Sequence, residues 1–390
     1  MIDRSTWTHP DFALLAAIGV LLIIGLDMVY SASYVIAHNN PVYGSDTYFL
    51  ARQLVWAAIG SVFLLTFQAI DYHVWRRVTV PLMAVVMALL LAVLVSHLGH
   101  SAYGAQRWLR FGPLPPIEPS EFGKLALVMY YADWLGRRRE KVAQFISGTL
   151  PFSITMTAIC ALVVLQPDLG SAFVIAATAV CMFFIAGADV RHLVLGLFAG
   201  VAALALVIVS ASYRFQRISA FLDPTKDPLG IGWNTLQAEI ALGSGGVFGL
   251  GLGASRQKFY YLPNAQTDAI FAVIGEELGL IGTLTILLLF GFIALRGYRI
   301  ALRAPDTYGA LLAAGVTSWL VLQALINVGV VTATLPFTGI PLPFVSFGGS
   351  SLIVSLMAVG ILLNVSRQSR ADAADARGVR GARPQEVGIR

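Results

Sequence analysis

Ionisable side chains inside apolar segments are costly, so each one in this chain asks for a reason. Glu121 and Lys124 stand three residues apart in PSEFGKLAL (residues 119–127) and so share a helix face. Two readings are open there: a local ion pair that lowers the cost of both charges, or a pair facing a cavity with the ammonium offered to an anionic substrate. Asp268 directly precedes the apolar run AIFAVIGEELGLIG. Its carboxylate suits a helix N-cap, and at the lip of a membrane cavity it also suits a proton acceptor. Glu276 and Glu277 lie two turns deeper. Neighbours on a helix point about 100° apart, so the two cannot share one role, and one is expected to make an interhelical hydrogen bond. Asp168, in QPDLG, reads as another cap. Arg214 and Arg217 flank Phe215 and suit lipid headgroups or a pyrophosphate.

Other candidates are weaker. The glycine run from Gly243 to Gly253 lacks dinucleotide-fold spacing and reads as a loop tightly turned against other backbone. IPLPFVSFGGSS (residues 340–351) reads as a rigid turn into a tightly packed span. The six histidines form no metal-spaced cluster, and His97 and His100 read as loop-edge residues. Cys160 and Cys181 each sit in an apolar segment, as packing residues rather than a disulfide or metal pair. No zinc-ligand spacing, P-loop, nucleophile elbow or haem motif occurs.

The elements that must position these groups are membrane helices. With 57% hydrophobic and 12% charged residues and a mean hydropathy of +0.76, the chain has too much apolar surface for a soluble domain to bury. About 20 apolar residues cross the hydrocarbon core, and ten runs qualify: 12–30, 51–69, 78–97, 120–135, 149–166, 169–187, 192–211, 269–295, 308–330 and 343–364. The fold class expected is an all-α integral membrane protein of about ten helices, because none of the runs alternates as a barrel strand does. The first run lacks a cleavage site and is expected to be retained.

With both termini cytoplasmic, inner segments hold 17 of the 26 lysines and arginines, and RRREK at 137–141 is the clearest vote. Residues 98–119 and 212–268 then lie outside, the second a large loop between the seventh and eighth spans with a helical-looking NTLQAEIAL. Residues 1–365 form one membrane domain. The Ala-, Arg- and Gly-rich tail, 366–390, is expected to be disordered against the anionic inner leaflet.

These residues resemble the SEDS family of bacterial membrane proteins (shape, elongation, division and sporulation), the group of RodA, FtsW and SpoVE. The match rests on RWL at 107–109, PSEFGKLAL, QPDLG at 166–170, the long run 241–279 and IPLPFVSFGGSS, in that order. RQKFYYLP leans toward the FtsW and SpoVE branch. The resemblance implies a glycosyltransferase that polymerises lipid II outside the bacterial cytoplasmic membrane, with Asp268 catalytic and Glu121 and Lys124 as companions. Two departures stand out: Gln266 where members commonly have His, and a Pro-rich stretch, Pro113 to Pro119, where some have a basic residue.

The chemistry is consistent with that. Forming a β-1,4 link from an α-linked sugar pyrophosphate inverts the anomeric carbon, so one carboxylate suffices as base. Asp268 would take the proton of the acceptor hydroxyl. Lys124, Arg107, Arg217 or a divalent cation such as Mg²⁺ or Mn²⁺ would meet the departing pyrophosphate. Gln266, Thr267, Ser346 and Ser350 would support the catalytic loop. No organic cofactor and no nucleic acid are expected. The implied partner is a class B penicillin-binding protein transpeptidase. A flippase that moves lipid II without catalysis is the alternative, and a recruiting scaffold a third reading.

Overall fold

The computed structural model describes residues 10–95, 99–102, 105–110, 116–230 and 232–381. Expectations that fall on Arg4, His97, Pro113 and residues 382–390 lie outside these. Thirteen α-helices are described: α1 (Phe12–Asn39), α2 (Tyr48–Ala69), α3 (Tyr72–Trp75), α4 (Thr79–Val95), α5 (Pro119–Arg138), α6 (Leu150–Leu165), α7 (Leu169–Ile185), α8 (Val190–Val209), α9 (Ser212–Leu222), α10 (Trp233–Gly245), α11 (Ile270–Arg303), α12 (Thr307–Val331) and α13 (Gly349–Gly381).

Every expected apolar run meets a helix, but the last begins later than expected: residues 343–348 form a turn and α13 starts at Gly349. Seven helices are long and apolar enough to cross a membrane: α1, α2, α6 with its preceding π-turn, α8, α11, α12 and the apolar part of α13. The two shorter apolar helices, α4 and α7, have 17 residues each, or about 25 Å at 1.5 Å per residue. The charged α5 is largely buried: Glu121, Lys124 and Asp133 lie among protein neighbours rather than lipid. It packs on α4, α7 and α12, while α2 runs along α13 and α11 along α12. At the other extreme, α8 buries none of its residues, although Leu195, Leu197 and Phe198 are each more than 60% exposed. An apolar helix with so little of its surface covered fits a lipid solvent.

Three other boundaries differ from the sequence reading. The loop 98–119 contains an antiparallel hairpin, β1 (Gly99–Ala102) with β2 (Ala105–Leu109), pairing His100 with Trp108 and shifting register between His100 and Ser101. Short polar strands lack the long periodic signal that helices give. The large loop 212–268 carries two helices: α10 on the expected NTLQAEIAL, and α9 on RFQRISAF, whose arginines mask its pattern. The last helix continues to Gly381, past Ser366, where disorder is expected to begin; Ala- and Arg-rich sequence has high helix propensity.

Candidate active site

Successive spans run in opposite directions, so α2, α5, α7, α11 and α13 all start at the same end of the bundle. There they surround a cavity of about 760 Å³. Its wall is made from their first residues: Arg52 and Trp56 of α2, Glu118 and Glu121 of α5, Asp168 and Ser171 of α7, Thr267 and Asp268 before α11, and Gly349 and Ser350 of α13. Each helix start carries unpaired amide N–H groups and a partial positive charge, so five together favour an anion. Arg107, from β2, and Arg217, from α9, also line it.

Asp268 is held by its backbone. Asn327, from α12, donates its amide to the Asp268 carbonyl at 2.8 Å and to Ile340 O at 2.7 Å. The Ser346 hydroxyl donates to Thr267 O at 2.6 Å and accepts from Leu342 N, and Phe347 N donates to Gln266 O. Gln53 of α2 ties the same turn through Ser346 O. The turn 340–349 therefore clamps 266–268. Gly339 adds a close approach: its φ is +73°, and a Cβ there would lie 3.2 Å from Asp268 Oδ2. Asp268 is not the cap of α11; that position is Ala269, which offers no side-chain bond. Its carboxyl is therefore uncommitted to a helix end. Burial pushes it up to about 6; Thr267, Arg107 and Arg217 oppose that rise, and Asp168 adds to it.

The open question at Glu121 and Lys124 has a geometric answer. Lys124 Nζ donates to Glu121 Oε1 at 2.7 Å and to Gln323 Oε1 at 2.8 Å, over the Trp319 ring. Its side chain is 2% exposed and stands behind the wall, so the ion-pair reading describes it, while Glu121 itself reaches the cavity. Asp168 does cap its helix, accepting from Ser171 N, and its Oδ1 lies 3.6 Å from Arg107, whose guanidinium also donates to Pro167 O. Arg217 bonds Phe337 O, and Arg214 turns to Val164 O and Val207 O, away from the cavity wall.

Of the residues expected at a site, Asp268, Glu121, Arg107, Arg217, Gln266, Thr267 and Ser350 share this wall. Ser346 and Lys124 lie directly behind it. Missed from the sequence were Glu118, Arg52, Asn327 and Gln323. Glu118 carries a signal: three residues before Glu121, it must share that face. The buried amides carry none, since an isolated Asn or Gln in an apolar helix does not show what it holds.

Glu276 and Glu277 serve the loop rather than the cavity. Glu277 accepts from Ser31 of α1, Gly253 N and Ser255 N, and pairs with Lys258 at 3.0 Å; Glu276 accepts from Ser255 Oγ and Arg256 N. The glycine run is the tightly turned loop expected, with Gly249 at φ +78° against the Glu277 carbonyl. Among the described residues no three His, Cys, Asp or Glu side chains converge to hold a metal ion.

Fold and site together define a polytopic helical membrane protein with an acid- and arginine-lined cavity at one end of its bundle. The chain belongs to the FtsW/RodA/SpoVE family: the family model described as "Cell cycle protein" matches residues 12–371. It is 45% identical over 364 residues to stage V sporulation protein E of Bacillus subtilis, covering 93% of this chain and 98% of that one. It is 44% identical over 359 residues to a probable peptidoglycan glycosyltransferase FtsW of Trichlorobacter lovleyi, covering 91% and 93%. Among solved structures it resembles a chain of a peptidoglycan synthase complex that coordinates polymerization and crosslinking (28% identical, TM-score 0.76, 93% and 99% covered). It also resembles the rod shape determining protein RodA of Thermus thermophilus (28% identical, TM-score 0.68, 93% and 98% covered).

Proposed function

We propose that this protein is a peptidoglycan glycosyltransferase that polymerises lipid II, with the cavity opening outside the cytoplasmic membrane. The observation that carries it is the pairing, in one cavity, of a half-buried carboxyl raised to about 6 with arginines and five helix starts. A carboxyl with that value is largely ionised at neutral pH yet basic enough to take a proton from an alcohol as it attacks. Asp268 removes the proton of the acceptor sugar hydroxyl while that oxygen attacks the donor's anomeric carbon. The C–O bond to the diphosphate breaks, and Arg107, Arg217 and Arg52 meet the departing anion together with the helix starts. Lys124 positions Glu121 from behind the wall. The helices α4, α5 and α7 complete ten crossings, with both termini in the cytoplasm and the hairpin and α9–α10 outside.

The relatives' names support this activity, and the solved synthase complex supports a class B penicillin-binding protein as partner. Asp268→Asn tests the assignment: the isosteric amide keeps the clamped turn but cannot accept the proton. Glycan formation from lipid II by the purified protein should fall by about 10²–10⁴-fold. Wild-type strand synthesis by a well-folded Asn variant would rule Asp268 out as base.

A further inference from the structure

The cavity corner where α5, α7 and α13 begin holds three carboxyl groups, Glu118, Glu121 and Asp168, and two cations. Both cations are engaged elsewhere. Lys124 is taken by Glu121 and Gln323, and Arg107 by Asp168 and the Pro167 carbonyl. Glu118 is left without an ion pair among the described residues. Its backbone N donates to Ser350 Oγ at 3.2 Å, fixing it to the start of α13, and its Oε1 accepts from Ser120 Oγ at 3.1 Å. No described residue donates to its other oxygen, and the side chain lines the cavity.

We propose that Glu118 is a second acid of this cavity, binding the diphosphate of the lipid-linked sugar as a neutral hydrogen-bond donor and excluding it when ionised. The proposal rests on the glycosyltransferase reading above. A third anion in a corner with two committed cations is unfavourable, so the proton is retained. A neutral carboxyl then supplies one O–H donor to a phosphate oxygen beside the amide N–H groups of the helix starts, without adding a charge that the committed cations would have to balance. The charged groups facing Glu118 are Glu121 and Lys124 on its own helix, Asp168 at the start of α7 and Arg107 on β2; α13 contributes only Ser350. The carboxyl is pushed up to about 8, first by burial, then by Glu121 and Asp168, with Lys124 and Arg107 opposing. No proton leaves Glu118 in the chemical step. Asp268 carries the proton of the acceptor.

The test is binding of undecaprenyl diphosphate to purified full-length protein in detergent, wild type against Glu118→Gln, between pH 7 and 9. The amide of Gln donates a hydrogen bond and cannot ionise. A group titrating near 8 is about nine-tenths neutral at pH 7 and one-tenth at pH 9, so wild-type affinity should fall about tenfold. The Gln variant should match wild type at pH 7 and change by less than about threefold. Glu118→Leu, with neither donor nor charge, should bind weakly at both. Parallel pH dependence in wild type and Gln would overturn the proposal, as would a Gln variant that binds poorly at pH 7 while keeping its native melting transition. Lipid II polymerisation by the same samples separates the two readings. A wild type that binds with this pH dependence but makes no glycan defeats the glycosyltransferase and leaves the diphosphate site.

Discussion

At the scale of single residues, the site works through environments rather than residue types. Among the described residues, Asp268 and Glu118 both combine a raised carboxyl with a fixed backbone and a cavity surface, and of the two Asp268 is the one largely ionised at neutral pH. A general base must be unprotonated, so polymerisation should rise as pH passes about 6. The sign of a neighbour's effect follows. Asp168 raises the Asp268 value by like charge, and Asn in its place still accepts from Ser171 N as a cap. Asp168→Asn should therefore move the acid limb to lower pH, whereas Arg107→Met should move it higher. Initial rates across pH 5–8 read both shifts, and a common limb for all three proteins would show that Asp268 does not set it. Asp268 was legible in the sequence because a charge stood alone before an apolar run. Glu118 was marked only by its spacing from Glu121, which does not show that its carboxyl stays neutral; the helices that meet around it decide that.

At the scale of elements, the question is what keeps a 57-residue loop (212–268) from blurring the position of Asp268 at its end. The answer lies on α11, two turns beyond that residue. Glu276 and Glu277 take the backbone of 253–257 directly, and Lys258 adds its ammonium to Ser31, Gly253 O and Glu277. The loop is thus fastened to α1 and α11 at once. The pair is buried, with 4% and 0% side-chain exposure, so removing one partner strands a charge at a cost of about 3–5 kcal/mol. Lys258→Met should lower the melting temperature in detergent and reduce activity, and adding Glu277→Gln should restore part of the stability. A double variant no more stable than the single would mean that the stranded charge is not the cause. The sequence led to the expectation that one of the two glutamates bonds another helix, as Glu277 does to Ser31 of α1. It did not show the loop amides, because contacts between residues 20 apart across a turn leave no periodic mark.

At the scale of the whole molecule, the alternation of span direction gives the cavity its character. Every second helix begins at the same end, so the positive ends of α2, α5, α7, α11 and α13 gather there whatever their side chains are. The arginines then add to a field the backbone already sets. This much follows from counting spans, and the sequence allowed it. Which end faces outward comes from a different signal, the concentration of Lys and Arg in RRREK and the other loops of the opposite end. The two signals meet in one prediction. Lys226, beyond α9, and Glu140, beyond α5, are both exposed and lie at opposite ends of the bundle. In a background with Cys160 and Cys181 replaced by Ala, Lys226→Cys should react with a membrane-impermeant maleimide in intact cells. Glu140→Cys should react only after the membrane is opened. The reverse pattern would put the cavity in the cytoplasm, where no growing glycan strand could be extended. It would leave movement of a lipid diphosphate as the use for the same charges.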